Sequence, residues 1–139
     1  MSTFNKFNSF VEAVAEKTHN LGTDDLKVVL SNTAPTAANT VLADIIQIAN
    51  GNGYTTGGTS ATQVSSSQAA GVYKLVLNDV TFTASGGSIA TFQYCVLYNN
   101  TATNDELIGY YDYGAPVIIT VGNAFVVDFD GTTGVLTIT

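Results

Sequence analysis

Few residues in this chain could carry catalysis. The 139 residues include one His, one Cys and no Arg. Nucleophilic catalysis by a triad needs a nucleophile, a base and an orienting group held together, so any such site would have to form around His19. We instead predict that His19 is a partly exposed residue at the C-terminal end of a helix, where it interacts with the helix dipole.

Cys95 alternates with large apolar residues along a predicted strand, a position typical of a buried and unreactive thiol. A lone Cys allows no internal disulfide, which suits a reducing compartment of synthesis. A zinc site of the thiolate or imidazole type would need ligands beyond one His and one Cys. The sequence therefore predicts no catalytic residue, no bound metal and no cofactor.

Carboxylates are the remaining candidates for chemistry. Asp128 and Asp130 lie on one face of a predicted strand end, which is a possible hard-cation site, but Thr132 and Thr133 follow where an EF-hand loop continues with ligands. We therefore favour a solvated turn there. The pair Asp105 and Glu106 lies in a polar loop, and a glycosidase pair could be drawn from any two of the 11 acidic residues.

Charge limits the classes of partner. The chain carries 4 basic and 11 acidic residues, for a net charge of −7. A protein of this balance cannot neutralise a run of phosphates, so we expect no nucleic-acid binding and no attraction to anionic membranes. The first residues lack the pattern of a signal peptide, and no apolar run is long enough to span a membrane. We expect a soluble protein made in the cytoplasm.

The spacing of apolar residues predicts the elements. Phe4, Phe7, Val11 and Val14 recur at intervals of three and four, which predicts one amphipathic helix within residues 1–22. From Leu26 the period changes to two, which predicts a half-buried strand. Residues 41–49 fit either a short helix or a strand. Residues 50–68 are rich in Gly, Ser and Thr and are predicted to be a long exposed excursion.

The second half of the chain reads as short strands separated by Gly and Asn turns. Strands are predicted at residues 72–77, 80–84, 89–98, 107–113, 117–121, 124–129 and 135–139. This spacing is typical of an antiparallel β-sandwich or barrel. We predict a mainly β fold of about 7–8 strands, preceded by one N-terminal amphipathic helix, in a single domain that covers residues 1–139.

Aromatic residues suggest a binding surface. Alternation along the strand places Tyr111 and Tyr113 on one face and Tyr110 on the other, so one set is predicted to be core. Exposed Tyr98, Tyr110 or Tyr111 could stack on sugars. A carbohydrate-binding module, with Asp128 and Asp130 as a cation site, is therefore an alternative function.

Seven stretches of the chain together carry a resemblance to known proteins: residues 10–22, 26–35, 51–54, 74–89, 107–114, 128–130 and 134–138. These stretches resemble a group of small virion proteins from tailed bacteriophages. The resemblance covers nearly the whole chain. It implies a non-enzymatic part of the phage particle, and it supplies no catalytic residues.

The profile of a small, β-rich chain with few charges fits a capsid decoration (cement) protein within that group. The resemblance implies a place on the outer capsid surface, the major capsid protein as partner, no small-molecule substrate and a homo-oligomer, with a trimer as one arrangement. A tail, neck or fibre-base component is the alternative. The predicted partner-binding residues are Phe4, Phe7, Phe10, Tyr54 and Tyr110. The three Phe side chains either anchor the partner or pack on the protein's own sheet.

Overall fold

The computed structural model describes residues 2–139, and its secondary structure is mainly β. In chain order the elements are β1 (Phe4–Lys6), α1 (Phe10–Ala15), β2 (Leu26–Ser31), a 3-10 turn (Leu42–Asp44), β3 (Thr59–Ser60), β4 (Gln63–Ala69), β5 (Val72–Leu77), β6 (Val80–Thr83), β7 (Ile89–Asn99), β8 (Leu107–Ile119), β9 (Ala124–Val127) and β10 (Leu136–Ile138). The predicted mainly β class is confirmed.

The strands within residues 2–139 pair into three antiparallel sheets, none of which closes on itself. The strand orders are β1-β8-β7-β2-β3, β10-β5-β4 and β6-β9. The ten strands exceed the predicted seven or eight because β1, β3 and β4 fall in segments that were predicted to be helix or excursion. The five-stranded sheet is built around the two longest strands, β7 and β8.

Strand β8 continues where the sequence predicted a break. Gly114 and Pro116 suggested a turn between two strands, but both residues lie within β8. The pairing with β7 moves from Tyr94 opposite Asp112 to Phe92 opposite Val117, so a bulge takes up the extra residues. Gly114 has a φ of 77°, which Gly adopts without strain. A bulge therefore keeps one strand in the sheet instead of ending it.

Two groups of buried side chains lie against the sheets. The larger group takes residues from all three sheets, including Val28, Leu75 and Phe82. The smaller group consists of Phe7, Val29, Ile45, Val96, Tyr98 and Leu107. Val28 and Val29 are consecutive and both buried, so β2 is covered on both faces and not half-buried as predicted. The cover on the second face comes from chain that precedes and follows β2.

The prediction of a helix from Phe4 is wrong. Residues 4–6 form β1, which pairs with β8, and the helix covers only residues 10–15. The spacing of the apolar residues does not distinguish a helix from a strand that is followed by a turn. In α1 the buried residue is Phe10, whereas Val11 is 53% exposed, the reverse of the predicted stripe. A six-residue helix is too short to form without tertiary contacts, so packing of Phe10 determines which face is buried.

The prediction of an exposed excursion at residues 50–68 is also wrong in part. The segment contains β3 and most of β4, and Tyr54 is only 1% exposed. A two-residue turn at Ala70 (φ 51°) and Gly71 (φ 83°) joins β4 to β5. Positive φ at both positions is typical of the tight hairpin turn, for which Asn-Gly is the usual sequence signal. Because Ala70 replaces the usual Asn, the sequence gives only a weak indication of this turn.

Residues 41–49 contain neither a regular helix nor a strand. A 3-10 turn at residues 42–44 lies between two isolated bridges, at Val41 and Gln47, and Ile45 and Ile48 are buried. The Asp44 carboxylate accepts hydrogen bonds from the Thr40 and Val41 backbone N–H groups at 2.9 and 3.3 Å. These bonds stabilise the turn.

Candidate functional site

The predicted partner-binding residues do not form one exposed surface. Phe7, Phe10 and Tyr54 are 0%, 4% and 1% exposed, whereas Phe4 and Tyr110 are half-buried. Phe7 and Tyr54 lie in different core groups, so these residues are not brought together. Of the two alternatives for the Phe side chains, packing on the protein's own sheet describes Phe7 and Phe10. A partner contact through Phe4 and Tyr110 stays a prediction.

The tyrosines predicted as a sugar platform are largely covered. Tyr98 and Tyr111 are 1% and 6% exposed, and burial raises the pKa of both hydroxyls to about 12. The Tyr98 hydroxyl donates to the Gly57 carbonyl at 2.7 Å. The Tyr110 ring lies 5.3 Å from the Phe7 ring, centre to centre. As predicted, Tyr110 and Tyr111 lie on opposite faces of β8.

Cys95 is buried, as the alternation predicted. Its side chain is 1% exposed, and burial raises the pKa of the thiol to about 12. At neutral pH the group is therefore protonated and shielded, which describes an unreactive thiol.

His19 is buried, so the prediction of a partly exposed residue is wrong. Its side chain is 6% exposed and its ring stacks on that of Phe10, with centres 5.7 Å apart. The helix ends at Ala15, and the chain then turns at Lys17 (φ 68°) to bring His19 back against the sheet. His19 therefore belongs to the packing of the N-terminal segment.

A hydrogen-bond network fixes the tautomer of His19. The Asn99 amide nitrogen lies 3.0 Å from His19 Nδ1 and donates to Asp24 Oδ2 at 2.7 Å. The Asn99 amide oxygen accepts from the backbone N–H groups of Thr101 and Ala102, which sets the orientation of the amide. Because the Asn99 nitrogen is a donor, Nδ1 of a neutral His19 is the acceptor, and the ring proton lies on Nε2.

The Nε2 atom of His19 is buried and has no hydrogen-bond partner within the described residues. Burial lowers the pKa of His19, because a charged ring would lose its hydration there. The carboxylates of Glu106 and Asp24 oppose this effect and raise the pKa by a smaller amount. The neutral imidazole is therefore the form that the fold favours.

A groove lies beside this network. It has a volume of about 1140 Å³, between the end of α1, the loop before β2 and the loop before β8. His19, Asp24 and Glu106 contribute to its lining, and Tyr73 lies on the opposite side, where its hydroxyl is 2.7 Å from Ser66 Oγ. Hydroxyl, amide and carboxylate groups of this kind can bind a neutral, hydroxylated ligand.

Residues 2–139 hold no group of three or more His, Cys, Asp or Glu side chains that could bind a metal ion. Asp130 Oδ1 accepts the backbone N–H groups of Thr132 and Thr133 at 2.7 and 2.9 Å, which lowers the pKa of the carboxyl. The carboxylate of Asp130 thus stabilises the turn before β10.

Sequence reasoning identified Asp128, Asp130 and Glu106 but missed the network around Asn99. An Asn before a polar loop carries no distinctive signal, and its partners are 75 and 80 residues away. Comparison of the chain with protein-family models, curated proteins and solved structures found no match. No helix among residues 2–139 is long and apolar enough to cross a membrane.

Proposed function

We propose that this chain is a non-enzymatic structural protein of a phage particle, and specifically a capsid decoration protein. Its partner is the major capsid protein, and its place is the outer surface of the shell. The proposal starts from the resemblance of residues 10–138 to small virion proteins and from the low charge of the chain. Its structural support comes from exposed aliphatic side chains.

The observation that carries the proposal is a set of three exposed aliphatic side chains near the connection between β8 and β9. They are Ile118, Val121 and Val126, and we call them the β8–β9 surface. They are 63%, 61% and 47% exposed and lie within nine residues of chain. Residues 113–127 contain no charged side chain. Exposed apolar side chains on a stretch of chain without charged residues are one feature of sites that contact another protein. Covering them against a capsid subunit would remove apolar area from water.

The test is to add the purified chain to phage heads that lack it and to image the particles by electron microscopy with averaging. Density distributed over the capsid lattice is the expected result. Density confined to the vertex or tail would instead favour a neck or tail component. Heads and tails that both remain bare would contradict a virion role.

Variants test whether the β8–β9 surface makes the contact. We expect Val121→Asp to lower occupancy on the heads by roughly tenfold or more, because it would bring a carboxylate into an apolar contact. Val11→Asp is the matched control, since Val11 is 53% exposed on α1. Equal occupancy for the two variants would exclude this surface as the contact.

We also infer how the sheets are arranged. The five-stranded sheet forms one layer of a sandwich, and the three-stranded and two-stranded sheets together form the other. The inference is supported by the larger buried group, which draws on all three sheets. The smaller buried group covers part of the outer face of the five-stranded sheet, so the outer face of the other layer would be the one open to partners.

Carbohydrate binding is a second candidate function, with a different site from the predicted tyrosine platform. The groove between α1 and the loop before β8 supports it, because polar side chains line the groove around Tyr73. Affinity electrophoresis against a panel of host polysaccharides tests it. A retardation that Tyr73→Ala removes would support the groove, and no retardation with any polysaccharide would exclude this function.

A further inference from the structure

Strand β4 is the longest strand at an edge of any sheet within residues 2–139. It spans seven residues, whereas the edge strands of the five-stranded sheet, β1 and β3, span three and two. Its only strand neighbour is β5. In the described chain, no backbone hydrogen bond outside that pairing reaches residues 63–69. The outward N–H and C=O groups of β4 are therefore available to another strand.

This edge lacks the usual protection against strand pairing. Natural edge strands are commonly short, or carry charges, Pro or bulges. β4 contains neither a charged residue nor Pro, and its single irregularity lies at its start, between Gln63 and Ser65. Residues 45–73 contain no charged side chain at all. From Ser65 to Ala69 the edge is regular and uncharged.

We propose that β4 pairs antiparallel with β4 of a second copy of this chain, about a twofold axis near Ser66. The pairing would join two three-stranded sheets into one six-stranded sheet. Ser66 would face the partner's Ser66, and Ser65 would face the partner's Ser67. Small hydroxyl side chains fit opposite one another across an antiparallel pair and can hydrogen-bond.

The charge of the chain supports a second copy as the occupant. Two copies that each carry a net charge of −7 repel one another, so a contact between copies needs a surface free of carboxylates. The charged residue directly beside the regular part of β4 is Lys74, opposite Ser67 on β5. A cation there adds nothing to the repulsion between the acidic chains, and its ammonium donates to the Thr132 carbonyl at 2.9 Å.

This inference deepens the proposed function, because a decoration protein is present in many copies, but it is tested on the isolated chain. The measurement is the molar mass by light scattering after size exclusion, over a range of protein concentrations. We expect the mass of two chains at high concentration. The mass of one chain at every concentration, or of three chains, would overturn the pairing, and neither result would bear on capsid binding.

A matched pair of variants locates the contact. Ser67 and Thr137 both lie directly opposite Lys74, Ser67 on the β4 side and Thr137 on the β10 side, and both are exposed. Ser67→Glu and Thr137→Glu therefore add the same charge beside the same cation. We expect Ser67→Glu to weaken dimerisation by roughly tenfold or more, because it would place two carboxylates near the axis, while Thr137→Glu leaves it unchanged. Equal effects would overturn the assignment.

Hydrogen exchange of the wild-type chain is a second test of the pairing, which does not require Ser67→Glu to fold. The amides of residues 65–69 should exchange more slowly in concentrated than in dilute protein. If they become protected only when capsids are added, a capsid strand occupies this edge and the second-copy proposal is wrong.

Discussion

The N-terminal segment (residues 4–10) and the central segment (residues 50–69) have opposite compositions and unexpected locations. The first contains three Phe side chains, which suggested an exposed anchor, yet Phe7 and Phe10 are buried. The second is rich in Gly, Ser and Thr, which suggested an excursion, yet Tyr54 is buried and β4 is part of a sheet. The comparison teaches that the composition of a segment does not determine whether it is exposed or buried. A neighbouring strand edge or core cavity can take up a segment of either composition.

Each segment is fixed by a few anchoring side chains. Phe7 fills the smaller core group beneath β2, β7 and β8. Tyr54 is held by its hydroxyl, which donates to Gln47 Oε1 at 2.7 Å and accepts the Leu30 N–H at 3.3 Å. Phe7 stabilises its segment by apolar packing alone, whereas Tyr54 combines burial with hydrogen bonds. Substitutions in the two segments should therefore lower the free energy of unfolding by different amounts.

The largest effect is expected for Phe7→Ala. Phe7 is fully buried, and its removal would leave a cavity among Val29, Val96 and Leu107. We expect the free energy of unfolding to fall by about 3–5 kcal/mol. Urea unfolding followed by circular dichroism measures it. Phe4→Ala is the control, because Phe4 is half-buried and packs on Tyr111 alone among the aromatic rings. A similar small loss for both variants would mean that Phe7 is not a core anchor.

The next effect is expected for Gly58→Ala in the central segment. Gly58 has a φ of 77°, and a Cβ there would overlap the Val28 carbonyl. Left-handed strain and the overlap should together lower the free energy of unfolding by about 2–4 kcal/mol. Gly71→Ala is the control: its φ is 83°, but a Cβ there meets nothing within 4 Å. Equal losses would show that the cost of Gly58→Ala comes from backbone strain alone, and not from the close approach of Gly58 to β2.

A smaller effect is expected for Tyr54→Phe. The ring would stay in place, but the buried Leu30 N–H would lose its hydrogen-bond partner. We expect a loss of about 1–3 kcal/mol in unfolding free energy, measured as for Phe7. Tyr94→Phe serves as the control, since no hydrogen bond is formed by the Tyr94 hydroxyl within residues 2–139. If the two variants lose the same unfolding free energy, the hydrogen bonds of Tyr54 do not stabilise the central segment and packing alone does.

Sequence patterns predicted the strands of the second half well and the first 70 residues poorly. Alternation located β7 and β9, and it predicted the buried position of Cys95. Burial itself does not alternate at the end of β7, where both faces are covered from Cys95 to Asn99. The N-terminal spacing of three and four fitted a helix equally well, and only the open edge of β8 favours β1 as a strand. The site around His19 needed Asn99, a contact 80 residues away that no local pattern indicates.

The smallest effect concerns pH and comes from the end of the N-terminal segment. The pKa of His19 in the folded chain lies below its ordinary value of 6.5 because the ring is buried, although Glu106 and Asp24 oppose the shift. Below pH 6.5 the unfolded chain therefore binds a proton that the folded chain does not. Stability is fully present above pH 6.5 and falls as the pH drops toward the folded pKa, with a slope of at most about 1.4 kcal/mol per pH unit.

Urea unfolding at a series of pH values between 7.5 and 5, at constant ionic strength, measures this slope. His19→Gln should remove it while keeping a side chain that can hydrogen-bond Asn99. The carboxyls of Asp44, Asp112 and Asp130 also have lowered pKa values, but they reduce stability only as the pH falls through 3.8 and below. The two windows do not overlap, so a slope between pH 6.5 and 5 that survives in His19→Gln would show that a group other than His19 titrates on unfolding.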